Sequence, residues 1–345
     1  MKTSGNFSAG PRNIRQNPLV GGRTDRAFTL IELGVVVWTL AVLALVLVPA
    51  LAGTKMESWR LQCQNNLKQL QVGMQLFTQD HGDMFPPAAY SSSALNRAIS
   101  WDSWIYSFIS GGRSVTVNQA SSGLYAANPN NAIALGLAIG LPVVACPVDA
   151  QLPKISWMHV NADPTQPLQY APRTYAMISA GSTWAVDIQV DPQSGKYPLP
   201  DLNQPGRHGV GIYWQTASGT VEWDAKGYKT SVVKDPAGTI LLGEDASNQG
   251  AEGNQWASCC ISPVCSSSFA SWSSLFQTDP NAPTDAAHLN GPNSYSEGLL
   301  LYPAQGNRFN YLFHDGHVAA LKIEQTIGTG TTIAPRGMWT VVPGD

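Results

Sequence analysis

Charge is what this sequence has least of. Only 12% of its 345 residues are Asp, Glu, Lys or Arg, about half the usual share of ~25%. The net charge of -3 leaves no basic footprint for nucleic acid and no acidic tail, so nucleic acid is not an expected partner. The short signatures of catalysis are missing as well: there is no Gly-x-Ser-x-Gly, no His-Glu-x-x-His and no phosphate-cradling glycine loop. Arg207-His208 beside Gly209 offers a single imidazole, which reads as structural. The chain is therefore expected to be no enzyme and to need no cofactor. Cysteine is scarce and odd in number: Cys63, Cys146, Cys259, Cys260 and Cys265. All five are candidate disulfide partners if the body lies outside the cytoplasm, with at least one thiol left over. The Cys259-Cys260-x4-Cys265 cluster lacks the two-plus-two spacing of a zinc site and reads as a local disulfide, with no metal expected.

What the sequence does have is one long apolar run. From Leu33 to Ala52 only Thr39 is polar and nothing is charged. At a rise of about 1.5 Å per residue these residues cover roughly 30 Å, the thickness of a bilayer's hydrocarbon core. Glu32 stands at its edge as an acid with no basic neighbour, which marks it as a functional candidate. Before it, residues 1–27 carry Lys2, Arg12, Arg15, Arg23 and Arg26 against Asp25 alone, the composition of a targeting leader whose positive charge keeps that end in the cytoplasm. A competing reading takes Ala50-Leu51-Ala52 as a signal-peptidase site.

Beyond Gly53, Trp59, Cys63, Leu67, Leu70, Met74 and Phe77 recur at helical spacing among Gln, Asn, Lys and Thr, which predicts one apolar stripe on a polar helix. Gly82 and Pro86-Pro87 end it. A short helix is expected over 132–140, and strands over 170–178, 209–215, 220–223 and 239–242, where Val, Ile, Tyr, Trp and Thr lie between Gly and Pro. Near the end, Asp315-Gly316 between two apolar runs predicts a two-residue hairpin, with Phe313 facing Val318, Tyr311 facing Ala320 and His314 opposite His317. His314, His317 and Asp315 are read as solvated turn residues, since a metal site needs three or four ligands with a supporting shell. Asp80/Asp83 and Asp187/Asp191 lack the alternating oxygen pattern of a calcium loop. The abundant Trp and Tyr read as core of a β domain rather than as a sugar-stacking surface.

Phe28-Thr29-Leu30-Ile31-Glu32-Leu33 resembles the N-terminal segment of type IV prepilins and type II secretion pseudopilins. That resemblance implies cleavage between Ala27 and Phe28 by a prepilin peptidase, methylation of the new amine, and pairing of Glu32 with a neighbouring subunit's amine. Pro49 falls where many pilins carry a helix-kinking Pro, whereas Ala27 stands where the family usually has Gly. Cys63-x-x-Asn66-Leu67-Lys68-Gln69-Leu70, Cys146-Pro147-Val148-Asp149, Tyr175-Ala176-Met177 and Asp235 to Glu244 also resemble the pilin-like proteins of planctomycetes. Their C-terminal motif, a His followed after nine residues by Asp-Gly, falls on Gln305, Asp315 and Gly316, with Gln in place of His.

Together these readings give an expected α+β, pilin-like fold: a long N-terminal helical spine with a membrane-spanning upper half, packed on a mainly antiparallel β domain. The expected segments are a leader over 1–27, a membrane or filament-core helix over 28–53, an amphipathic helix over 54–80 and a loop-rich β domain over 81–345. The implied function is a pilin or pseudopilin subunit of a type II secretion pseudopilus or type IV pilus, single-pass in the inner membrane with its body outside. Its implied partners are prepilin peptidase, other pilin or pseudopilin subunits, the inner-membrane assembly platform and the lipid bilayer. The alternative is a secreted or anchored extracytoplasmic binding protein, polysaccharide being one candidate ligand, without filament assembly.

Overall fold

The computed structural model describes residues 29–92, 97–112, 140–151, 158–159, 163, 165–168, 170–181, 188–190, 208–216, 225–246, 250–254, 258–264, 276–278, 301–303 and 305–345. The chain divides into two compact units, Met1–Ala52 and Gly53–Asp345. One helix, α1 (Leu30–Asp80), runs through the division.

In the first unit, α1 opens on a capping box. The Thr29 backbone N–H and hydroxyl both donate to Glu32 Oε2 at 2.9 Å, while the Glu32 N–H donates to Thr29 Oγ1 at 3.2 Å. Two N–H groups that no helical carbonyl could reach are thereby satisfied. The large side chains that follow, among them Leu30, Ile31, Leu33, Val35 and Trp38, are exposed.

In the second unit the stripe is buried. Cys63, Leu67 and Leu70 are fully buried and Met74 and Phe77 nearly so, while Trp59 packs against them from the margin. Burial of each large apolar side chain contributes about 1.5–3 kcal/mol, so this face holds α1 to the body. The helix stops where Gly82 and Asp83 take positive φ (64° and 61°), which lets the Asp83 N–H reach the Thr78 carbonyl at 2.9 Å.

Two sheets make the wall against α1. The larger has the order β11-β10-β6-β3-β7, formed by Val318–Leu321, Phe309–Phe313, Ile240–Glu244, Tyr175–Ile178 and Cys259–Cys260. The other has the order β2-β1-β5-β4, formed by Arg97–Ser100, Ala89–Ser92, Tyr213–Thr216 and Ile188–Val190. A third pair joins β8 (Ser262–Val264) to β9 (Phe276–Thr278). β3, β6 and β10 are buried along their whole length, which explains their near-continuous apolar text. Arg173, just ahead of β3, is fully buried and held by Asp102 at 2.7 Å and the Asn254 carbonyl at 2.9 Å, so its charge is paired and hydrogen-bonded.

Two parts of the expected fold class are overturned. No helix among the described residues is long and apolar enough to cross a membrane. The apolar run does continue without a break into the amphipathic stretch as one helix, through Lys55, Glu57 and Arg60, but it does not make a membrane span. The membrane-spanning spine and the single-pass inner-membrane placement fall with it. Nor is the β region mainly antiparallel. Of the eight strand pairings among the described residues, β1–β5, β3–β7, β4–β5 and β8–β9 are parallel. Strands distant in sequence are brought side by side, and local alternation carries no information about that pairing. The helix expected over 132–140 falls almost entirely outside the described residues, and the strand expected over 220–223 wholly so.

Candidate functional site

The hairpin forms, but in a different register. Leu312 lies opposite Val318 and Tyr311 opposite Ala319. The Gly316 N–H donates to the Phe313 carbonyl, and the Phe313 N–H to the His317 carbonyl, each at 3.0 Å. The loop is thus His314-Asp315-Gly316, with Gly316 alone at positive φ (94°): a three-residue turn closed by a glycine bulge rather than the two-residue turn expected. A shift of one residue reverses the facing of side chains. His317 therefore stacks on Phe313, with ring centroids 4.1 Å apart, and its Nδ1 lies 2.7 Å from Asp315 Oδ1. His314 points the other way, so the two imidazoles do not converge.

His314 instead enters a cavity of about 130 Å³ between α1 and the turn. Gln71, Met74, Gln75 and Thr78 of α1 form one side, and Phe85, Thr230, Val233, Pro236 and Leu241 the other. Backbone bonds fix the turn over it: the His314 N–H donates to the Thr239 carbonyl and the Asp315 N–H to the Pro236 carbonyl, each at 3.1 Å. Gly316 sits directly on Gln71, where a Cβ would come within 3.2 Å of Gln71 Cγ. The Phe85 ring meets the His314 ring edge-on at 5.0 Å.

Both ring nitrogens of His314 and the Gln71 Oε1 are shut off from solvent and have no hydrogen-bond partner among the described residues. Gln71 spends its Nε2 on the His314 carbonyl at 3.4 Å. Unmet buried polar groups of this kind cost about 1–3 kcal/mol each. Burial drives the His314 pKa down to about 3, against a smaller upward pull from Asp315. The ring is thus neutral near pH 7, with one donor and one acceptor nitrogen. Among the described residues, no side chain on the cavity wall carries a charge at that pH. The site therefore suits a small neutral molecule with an apolar body and a hydroxyl-like group. A cavity of ~150 Å³ accommodates benzene, which sets the scale.

Other expected residues are placed elsewhere. Gln305 lies buried beside the disulfide that joins Cys63 to Cys146. Its Nε2 donates to Glu244 Oε1 at 3.2 Å and lies 3.6 Å from Cys146 Sγ, while its Oε1 accepts from Asn310 Nδ2 at 2.8 Å. Burial pushes the Glu244 carboxyl up to about 7, opposed by the hydrogen bonds from Asn310 and Gln305. The covalent link thus runs from the helix stripe to the Cys-Pro-Val-Asp stretch. Cys259 and Cys260 are buried on β7, and Cys265 lies outside the described residues. So do Ala27, Phe28, Asp187, Asp191 and Arg207. Asp80 and Asp83 are exposed and belong to no metal-type cluster among the described residues.

Gln71 and Asn310 were not singled out by their local sequence. Gln71 follows Leu70 on the edge of the apolar stripe, and that edge position was its only signal. Glu244 closes the Asp235-to-Glu244 segment, as an acid at the end of a strand otherwise free of charge.

Residues 58–325 match the family described as "Protein of unknown function (DUF1559)", SBP_bac_10. No curated protein and no solved structure matches the chain. The match is not to a pilin-specific family, so the prepilin, pseudopilin, type II secretion, type IV pilus and N-terminal methylation assignments have no specific match behind them.

Proposed function

The chain belongs to the SBP_bac_10 family of unknown function, and we propose that it is an extracytoplasmic, non-enzymatic binding-type protein. Its ligand is a small neutral molecule held in the cavity between α1 and the β10–β11 turn. One observation carries this reading: the His314 ring, whose two nitrogens have no hydrogen-bond partner among the described residues, lines a cavity whose other polar side chains, Gln71, Gln75, Thr78 and Thr230, are all uncharged. The Cys63–Cys146 disulfide supports an oxidising compartment, where such bonds persist. The lack of catalytic signatures in the sequence supports binding without chemistry. A polysaccharide chain exceeds the cavity, though the edge of one ring does not.

The test is a ligand-observed NMR screen of small neutral alcohols, phenols and polyols against the full chain, followed by titration of any hit. Saturable binding that shifts the His314 ring resonances, and weakens about tenfold or more in His314→Phe, supports the reading. If nothing binds, or hits bind equally to His314→Phe, the cavity is only a hydrated gap and the reading fails.

A second reading keeps the pilin-like character: association between the N-terminal helices of several copies, as prepilin-type subunits with their peptidase and assembly platform. The exposure of Leu30, Ile31, Leu33, Val35 and Trp38 along α1 favours it, because contiguous apolar surface of this kind marks an interaction face. Concentration-dependent self-association of the full chain, reduced in Val35→Lys, would support it. A monomer at all concentrations would refute it.

A further inference from the structure

A second cluster, separate from the cavity, joins three elements. Cys63 comes from the buried stripe of α1, Cys146 from the Cys-Pro-Val-Asp stretch and Glu244 from the end of β6. The two sulfurs and a carboxylate oxygen of Glu244 all lie within 4.8 Å of one another, and all three side chains are fully buried.

The carboxylate is oriented from several sides. It accepts from the Asn310 backbone N–H at 2.7 Å, Asn310 Nδ2 at 2.9 Å and Gln305 Nε2 at 3.2 Å. Asn310 is itself held by Gln64 Nε2 at 3.0 Å. Around Cys146, the backbone N–H donates to Thr174 Oγ1 at 2.8 Å, and that hydroxyl donates to buried Asp149 at 2.6 Å. Such supporting hydrogen bonds are what aim ligands at a metal.

In the oxidised chain the sulfurs are spent on each other. Two-electron reduction by a thiol or phosphine reductant breaks the Cys63–Cys146 bond. Each sulfur then gains one electron and one proton, giving two thiols while the reductant is oxidised. A divalent cation displaces both protons and leaves two thiolates and one carboxylate facing one point. That mixed set is typical of zinc, with Zn–S near 2.3 Å and Zn–O near 2.0–2.2 Å, and it favours soft-tolerant Zn²⁺ over magnesium or calcium. Tetrahedral binding separates the sulfurs by roughly 3.8 Å. The Cα atoms are 4.9 Å apart, close enough for both sulfurs to reach one cation. A cation there would also offset the buried negative charge of Glu244 and Asp149, which lie within electrostatic reach of each other. A fourth position would be left to water, because the Gln305 atom nearest Cys146 is its Nε2, a donor, while its Oε1 accepts from Asn310.

We propose that Cys63, Cys146 and Glu244 form a redox-gated metal site: a disulfide in the oxidised chain, and a Zn²⁺-class site when that bond is reduced. Disulfide and metal are mutually exclusive, so oxidation releases the cation and locks α1 to the body by a covalent bond instead.

The test uses the full chain, oxidised or reduced with tris(2-carboxyethyl)phosphine under anaerobic conditions, and titrated with Co²⁺ as a spectroscopic stand-in for Zn²⁺. Reduced protein is expected to take one cobalt with thiolate charge-transfer and tetrahedral d–d absorption, while oxidised protein shows neither. Zn²⁺ should displace the cobalt. Cys63→Ser should abolish the spectrum, Glu244→Gln should weaken binding, and Asn310→Ala should weaken it by about 10–100-fold. A Cys259→Ser/Cys260→Ser variant should keep the spectrum. Equal binding by oxidised protein, no binding by reduced protein, or a signal that follows Cys259 and Cys260 would each overturn the proposal. Circular dichroism monitors the fold throughout, and a loss of fold on reduction that cobalt does not restore would overturn it as well.

Discussion

Thr29 and Glu32 satisfy each other's backbone N–H groups at the start of α1. The acid that the sequence offered as a subunit-pairing group is thus already engaged within its own chain. Its pKa is lowered, first by the Thr29 N–H and then by the Thr29 hydroxyl. A carboxyl depressed in the folded state stabilises above its unfolded pKa and loses that contribution as pH falls through the folded one.

The first prediction follows. Amide exchange over the first turn of α1 should be slow at neutral pH and speed up as pH drops below the ordinary carboxylate value of 4.5, after correction for intrinsic exchange rates. Glu32→Ala should show fast exchange there at every pH, while residues 63–77 remain protected. No difference between variant and parent would show that the capping box does not form in solution.

His314 predicts a pH dependence of global stability. Its folded pKa of about 3 lies below the ordinary 6.5, so between those values the unfolded chain binds the extra proton. Stability should therefore rise with pH across that window and level off above 6.5, with a slope on the order of 1 kcal/mol per unit from this residue. Urea unfolding of parent and His314→Phe at pH 4.5, 5.5 and 7 tests it. The variant's slope should be smaller by about that amount, and parallel curves would refute the assignment.

Gly316 has φ of +94° and faces Gln71 at a distance that leaves little room for a Cβ. Gly316→Ala should cost about 1 kcal/mol or more from backbone strain alone, read as a lower urea midpoint. The Leu67 and Leu70 region should keep its exchange protection, because the damage is confined to the turn. A variant as stable as the parent would mean that the turn adopts another conformation.

The Cys63–Cys146 bond closes a separation of 83 residues. A loop of that size predicts about 4.5 kcal/mol of stabilisation from the restricted unfolded chain. Cys63→Ala/Cys146→Ala should lose a comparable amount in urea unfolding. A loss under about 1 kcal/mol would mean that packing of α1 on β3 and β10 does the holding without the link.

The stripe on α1 was legible because helical spacing and burial are local: Cys63, Leu67, Leu70, Met74 and Phe77 all face the core as their positions require. The existence of the hairpin was legible from Asp315-Gly316, but its register was not. Asp-Gly fits either a two-residue or a three-residue turn. The choice is made by backbone bonds from His314 and Asp315 to Thr239 and Pro236, some 75 residues away in sequence. The cavity was hidden for the same reason, since it exists only where that turn meets Gln71. The capping box was present in the text as Thr29-x-x-Glu32, yet the acid was weighed for its place beside an apolar run. Parallel pairings such as β1 with β5 leave no trace in either strand's own alternation.

The disulfide also decides where a mechanical load would travel. Tension applied at the N-terminal end of α1 reaches Cys63 first and crosses the sulfur–sulfur bond to Cys146. Everything between those residues, including the last turns of the helix and the β1–β2 hairpin, drops out of the force-bearing path. At roughly 3.5 Å per residue the shielded segment is near 290 Å of chain. That length stays hidden from a stretching experiment until the bond is reduced, and the body resists extraction by its N-terminus as a cross-linked ring rather than as a thread.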